Sequence, residues 1–307
     1  MFYLYSPDQT ELYLRLLKEA LPDQQIACWP DAVDADAVTH VAVWGTPPGF
    51  FAAFSRLQVI FNLGAGVDAL LKRDDIPETV EIVRLHDAGM AQQMTEYCLY
   101  GVLHYQREME IYRRQQHVGA WLPRDARLAR KVRVTVLGLG EIGGRVASEL
   151  ARLGYTVRGW SRHARQIAQV DCRYGETALD TLLGDTDVLL CVLPATPETR
   201  HLLNAERLAR LPSDAAVINA GRGSLIDEEA LLALLDGEHL RFALLDVFAE
   251  EPLPEAHRLW THPRVIVTPH VAADTVPEEA VAQIAENMRR VEAGKPMHGR
   301  VERRRGY

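Results

Sequence analysis

The chain is predicted to be an α/β protein of two domains, each built on a parallel sheet. Three observations carry this. Short apolar runs alternate with amphipathic stretches along almost the whole length, the pattern of strands joined by helical crossovers. One long helical pattern, from about Gln93 to His117, divides that alternation into two series. And 307 residues suit two cores better than one.

In the first series, residues 2–5 read as a strand and residues 10–20 as a helix, with Leu12, Leu16 and Leu17 near helical spacing. Residues 26–29, 41–44, 59–62 and 82–85 read as further strands. In the long helix, Met94, Tyr97, Cys98, Val102, Tyr105, Met109 and Tyr112 recur every three or four residues, an apolar stripe. Residues 118–131, with Gly119, Pro123 and several basic side chains, read as a loop. The second series has strands at 132–137, 157–160, 188–192, 216–219, 242–246 and 265–268, and helices at 143–153 and 227–235. Asp227 and Glu228 suit the start of the latter helix. The last helix runs from Pro277, a favoured first helical residue, to about Ala293. No internal repeat or low-complexity tract is visible.

Composition narrows the function classes. The chain is 48% hydrophobic and 25% charged with net charge −8, against a nucleic-acid-binding role, which needs a basic face. The four arginines between Arg300 and Arg305 read as a solvated end. The first residues carry neither a basic segment nor a long apolar stretch, so no secretory signal is expected. The longest apolar runs, such as 188–193, fall far short of the ~20 residues that span a bilayer, so no membrane role is expected. Cys28, Cys98, Cys172 and Cys191 form no C-x-x-C pair and read as reduced thiols of a cytoplasmic protein. No two histidines are spaced to share a zinc ion, and no metal is expected.

Residues Val134 to Gly143 read as a strand entering a G-x-G-x-x-G turn and then a helix. Gly138 permits the tight turn, Gly140 admits a pyrophosphate to the backbone, and Gly143 allows close helix–strand contact. Phosphates then meet the helix N-terminus, around Leu139, Glu141 and Ile142. The next strand ends at Trp160 and is followed by Ser161-Arg162-His163, where NAD enzymes usually carry an acid for the ribose 2′-OH. Ser161 and Arg162, with Arg165 as a helper, suit a 2′-phosphate instead. NADPH/NADP is therefore expected, with NADH less favoured.

Three further segments offer a cation, an acid and an imidazole, each beyond an apolar run. They are Asn219-Ala220-Gly221-Arg222-Gly223, Leu245-Asp246-Val247-Phe248 running on to Glu250-Glu251-Pro252, and Thr268-Pro269-His270. With Leu63-Gly64-Ala65-Gly66-Val67-Asp68, Gly89 to Met94 with Glu96-Tyr97, Trp160-Ser161-Arg162, Leu193 to Thr199 and the end Arg305-Gly306-Tyr307, they make the whole chain resemble the D-isomer-specific 2-hydroxyacid dehydrogenase family. Within it, the chain is most similar to the bacterial glyoxylate/hydroxypyruvate reductases of the A type. Motifs of this number in this order are specific.

The resemblance implies two Rossmann-like/flavodoxin-like parallel-sheet domains with an inter-domain active-site cleft. The substrate (catalytic) domain would be residues 1–95 plus 278–307, and the dinucleotide-binding domain 96–277. Arg222 would grip the carboxylate and keto oxygen of a 2-keto acid, His270 would donate the proton as hydride arrives, and Glu251 would orient His270 and favour its charged form. The N–H groups of Ala65 and Gly66 would hold the substrate carboxylate, with Trp44 and Met90 lining the pocket or serving as ordinary core. Leu193, Pro194, Thr199, Ala220 and Asp246 would lie along the cofactor. A homodimer is the family's usual state. The expected reaction is reduction of glyoxylate to glycolate or hydroxypyruvate to D-glycerate. A bulkier 2-keto acid remains open. A 3-phosphoglycerate dehydrogenase is disfavoured because no room is left for a regulatory domain. A non-catalytic NAD(P)-sensing protein on the same fold is opposed by the intact Arg222, Glu251 and His270.

Overall fold

The fold is described over residues 1–303 from a computed structural model. Strand β1 (Phe2–Tyr5) opens the chain, followed by α1 (Thr10–Ala20), β2 (Ile26–Cys28), β3 (His40–Val43), β4 (Val59–Asn62), α2 (Asp68–Leu71) and β5 (Glu81–Val83). These strands form a five-stranded parallel sheet in the order β2-β1-β3-β4-β5, one of the two common doubly wound orders. Helix α1 buries Tyr13 and Leu17 most deeply, one turn apart on one face.

Helix α3 (Met90–Gln106) and helix α4 (Met109–His117) come next. Then follow β6 (Arg133–Leu137), α5 (Glu141–Arg152), β7 (Thr156–Ser161), β8 (Asp171–Tyr174), α6 (Glu176–Leu183), β9 (Val188–Cys191), α7 (Ala205–Ala209), β10 (Ala215–Asn219), α8 (Glu228–Asp236), β11 (Leu240–Leu245) and β12 (Val265–Val267). The seven strands are parallel in the order β12-β11-β10-β9-β6-β7-β8. The order reverses at β6, which lies between β7 and β9, so the glycine turn after β6 sits at the switch point where such sheets bind ligands. Strands β9, β10 and β11 are buried at every position, because helices cover both faces. Met94, Cys98, Val102 and Tyr105 of α3 pack with Val146 and Leu150 of α5 on one side, and Leu179, Leu183, Leu231 and Leu232 of α6 and α8 belong to the other core layer.

Helix α9 (Pro277–Glu292) starts with proline in its first turn and packs on α1. The chain divides into residues 1–90 with the segment from Asp274 onward, and residues 91–273. These edges lie a few residues before the expected 95/96 and 277/278.

The long helix expected over 93–117 is broken. Glu108 takes a left-handed conformation (φ 54°) between α3 and α4. No glycine or proline marks the break. Its cause is a charge cluster: Arg241, buried in β11, donates from Nε to Glu110 at 2.6 Å, while Glu108 pairs with Arg124 and lies 3.7 Å from Arg241. A buried guanidinium requires such partners, and a straight helix would not bring both carboxylates to it. Strand β8 was missed because it is an exposed edge with no apolar alternation. Short α2, α6 and α7 were also missed. The basic end is not simply solvated: Arg300 pairs with Glu81 at 2.7 Å, and Arg303 donates to Pro77 O and Val80 O at 2.9 Å. The segment Arg305-Gly306-Tyr307 lies outside the described residues.

Candidate active site

The turn after β6 is shaped by its glycines. Gly138 has φ 105°, the left-handed region, and its N–H donates to Trp160 O at 2.9 Å. A side chain at Gly143 would strike Gly138 O, so α5 and β6 approach as closely as the motif expects. At Gly140 a side chain would meet nothing within 4 Å. Gly140 caps α5, and no side chain caps that end. An open turn against an uncapped helix N-terminus fits a pyrophosphate. Leu139 is buried against Gly159 and Ile142 packs on the core, so these two can offer only backbone to a ligand, while Glu141 opens the helix.

At the end of β7, Ser161 Oγ donates to His163 O at 2.8 Å, and Arg162 lies 3.3 Å from Glu198. Glu198 is held by its own backbone and by Thr196, contacts that with Arg162 keep its carboxyl below the usual range. A cation is thus present where the sequence places it, partnered by a carboxylate that sequence reasoning did not single out. Thr199 is buried; its hydroxyl donates to Pro194 O at 2.7 Å and accepts from Thr196 N–H at 2.8 Å. It therefore shapes the Leu193–Pro194 turn from within.

Arg222 follows β10 in extended conformation, and its Nη1 donates to Gly221 O at 2.8 Å. Asn219 organises this turn: its Nδ2 donates to Arg222 O at 3.0 Å, and its Oδ1 accepts from Gly221 N–H at 3.2 Å. Ala220 is buried, and its N–H donates to Cys191 O at 3.1 Å. The two glycines flanking Arg222 are close-approach positions. A side chain at Gly221 would press on Leu193 backbone, and one at Gly223 would overlap the backbone of Phe248 and Ala249. The Arg222 turn is thereby locked to the loop that carries Glu251.

Glu251 and His270 meet. His270 Nδ1 lies 2.7 Å from Glu251 Oε2, and Glu251 Oε1 accepts from Phe248 N–H at 2.9 Å. Toward a carboxylate, Nδ1 carries the proton, which leaves Nε2 as the outward-facing nitrogen of a half-exposed ring. His270 itself has φ 55°. Its N–H donates to Asp246 O at 2.9 Å. The Asp246 carboxylate, 1% exposed, accepts from Thr268 Oγ1 at 2.6 Å and from the N–H groups of Val271 and Ala272 at 2.9 Å. Tyr97 of α3 hydrogen-bonds Thr268 Oγ1 at 2.6 Å, and burial pushes its phenol well above its ordinary range. Asp246 thus stands at the end of β11 as expected, with its side chain holding the histidine loop.

In the other unit, Leu63 to Gly66 form a turn after β4. Asn62 Nδ2 donates to Gly64 O at 2.9 Å and to Gly66 O at 2.8 Å. The Trp44 ring lies where a side chain at Gly64 would be, and half of Trp44 is exposed. Met90 is buried, and its sulfur lies 3.9 Å from Thr275 Oγ1. Sequence reasoning gave no role to Asn62, Asn219, Thr268 or Thr275. The first three stand at or just after strand ends, which could have drawn attention to them, whereas Thr275 lies in the segment before α9. Among the described residues no His/Cys/Asp/Glu cluster suits a metal ion, and no helix is long and apolar enough to cross a membrane.

A family model described as the NAD-binding domain of D-isomer-specific 2-hydroxyacid dehydrogenases matches residues 99–272. The chain belongs to that family of oxidoreductases. It is 39% identical to the glyoxylate/hydroxypyruvate reductase A of Klebsiella pneumoniae strain 342 over 100% of this chain and 99% of that protein. It is 41% identical to the reductase of the same name from Photorhabdus laumondii over 96% of each. A D-isomer-specific 2-hydroxyacid dehydrogenase of Xanthobacter autotrophicus Py2, solved with NADPH and MES, superposes with a TM-score of 0.95 at 44% identity, covering 100% of this chain and 99% of that one. The NADPH-dependent glyoxylate/hydroxypyruvate reductase of Sinorhizobium meliloti, solved with NADP and sulfate, gives a TM-score of 0.93 at 32% identity, with the same coverage.

Proposed function

We propose that the protein reduces a small 2-keto acid, glyoxylate or hydroxypyruvate, with NADPH. The observation that carries this is the His270–Glu251 pair at 2.7 Å, held at the ends of strands in a unit whose glycine turn suits a dinucleotide. NADPH supplies a hydride. The protein must then orient the carbonyl, stabilise charge on its oxygen and deliver a proton there. Arg222 takes the first two tasks, because a guanidinium offers two parallel N–H bonds to the carboxylate and keto oxygens. His270 takes the third from Nε2, with Glu251 holding Nδ1–H and so fixing the ring's orientation. Ala65 and Gly66 offer backbone N–H groups to the carboxylate. Ser161 and Arg162 serve the 2′-phosphate, with Arg162 leaving Glu198 for the stronger anion. Leu193, Pro194, Thr199, Ala220 and Asp246 line or brace the cofactor side, and Trp44 and Met90 the substrate side. The experiment is a loss of NADPH absorbance on adding glyoxylate or hydroxypyruvate. NADPH binding without oxidation across a panel of 2-keto acids would contradict the proposal and favour a sensing protein.

The protein is also proposed to act as a homodimer in the cytoplasm. Val118, Trp121 and Leu122 are 79%, 94% and 63% exposed along the arm after α4, and a second copy would cover them. Free, buried Cys28, Cys98 and Cys191 accord with a reducing compartment.

A further inference from the structure

We propose that Asn62, with Thr275, positions the substrate's carboxylate by setting the peptide planes of the Leu63-to-Gly66 turn. Asn62 ends β4 and is 4% exposed. Both amide hydrogens are committed, one to Gly64 O at 2.9 Å and one to Gly66 O at 2.8 Å. Thr275 Oγ1, from the returning segment before α9, donates to Leu63 O at 2.8 Å. In a trans peptide the C=O and the following N–H point in opposite directions. Drawing Gly64 O toward Asn62 therefore turns the Ala65 N–H away from it, and drawing Gly66 O inward does the same for the Val67 N–H. Thr275 likewise fixes the plane of the Gly64 N–H. Trp44 bears on Gly64 from another side, so the turn cannot relax in that direction. Among the described residues the Ala65 and Gly66 N–H groups have no acceptor, although both residues are only half-buried and sit in a firmly braced turn. Braced, outward-facing N–H groups without partners form an anion-binding nest. A buried side-chain amide that spends both hydrogens on Gly64 O and Gly66 O keeps the Ala65 N–H aimed outward and holds the planes on either side of the Gly66 N–H.

The inference rests on the proposed reduction of a 2-keto acid, and its test is chosen to fail separately. Asn62→Asp keeps the shape but sets a carboxylate against two carbonyl oxygens. Thr275→Val removes one hydroxyl, and Thr275→Ser restores it. For each, KM for glyoxylate and for NADPH would be compared, with the dissociation constant of oxamate read from the fluorescence of bound NADPH, and Tm measured alongside. Losing an aimed N–H to a charged ligand is expected to raise KM for glyoxylate and the oxamate constant about tenfold or more in Asn62→Asp, with a smaller rise in Thr275→Val. KM for NADPH should hold, and Thr275→Ser should return to wild type. A lowered Tm with unchanged oxamate binding in Thr275→Val and in folded Asn62→Asp would overturn the proposal and leave both residues as braces of the fold. A wild type that binds oxamate but does not oxidise NADPH would instead contradict the reaction and leave the nest standing.

Discussion

His270 adopts φ 55°, a conformation that costs a non-glycine residue about 1–3 kcal/mol. The cost is offset locally by Asp246, whose backbone O and carboxylate together accept from His270, Thr268, Val271 and Ala272. Asp246→Asn leaves one acceptor oxygen where two serve three donors. It should lower stability by about 1–3 kcal/mol, read in denaturant melts, and lower kcat more than it changes KM for NADPH. Arg222→Ala should abolish measurable turnover while NADPH binding, followed by fluorescence, stays nearly intact; retained catalysis would show that the keto acid is oriented by some other group. The Arg162–Glu198 pair bears on cofactor choice. Replacing Ser161-Arg162 with Asp-Pro should shift preference toward NADH, and Glu198→Gln, by freeing the guanidinium, should lower KM for NADPH but not for NADH. Unchanged selectivity in both would place the 2′-phosphate elsewhere. The Glu251–His270 contact and the close-approach glycines were legible because their residue types are chemically distinctive and stand beyond apolar runs. Asn62, Asn219 and Thr268 were not, since their value lies in which backbone groups they meet.

At the level of elements, parallel-sheet burial explains which segments could be read from sequence. Strands β9 to β11 are covered on both faces and appear as unbroken apolar runs, whereas β8 lies at an edge and its residues are mostly exposed. The break between α3 and α4 escaped notice because its determinant, Arg241, is more than a hundred residues away in β11. Gly223 carries the tightest constraint between elements. A Cβ there would overlap the backbone of Phe248 and Ala249 in the Glu251 loop, so even one methyl group must push the Arg222 turn away from it. Gly223→Ala is expected to reduce kcat at least about tenfold, since small misplacements of positioned groups are expensive. Circular dichroism would verify that the sheet persists. Wild-type kcat in that variant would show that the two loops need not be locked.

For the whole molecule, two measurements follow from burial. His40 and His104 are held below the ordinary imidazole range, in both cases chiefly by burial; for His40 the N-terminal ammonium adds to this, and for His104 Glu110 opposes it. The unfolded chain therefore takes up protons near pH 6.5 that the folded protein refuses. Stability should be full above about pH 6.5 and fall as pH drops below it, before the carboxylates titrate near pH 4. A Tm that stays flat from pH 7 to pH 5 would contradict this. Trp121→Asp should convert a dimer to a monomer in light scattering, and an unchanged mass would place the interface elsewhere. The central claim, that His270 delivers the proton for a hydride transfer from NADPH, is tested most directly by a single turnover. Enzyme holding NADPH would be mixed with glyoxylate in stopped flow, with wild type beside His270→Gln. The expected result is rapid loss of NADPH absorbance in wild type and a slowing of about 100- to 10,000-fold in the variant, with NADPH affinity unchanged. A variant that turns over within a few-fold of wild type would contradict the account.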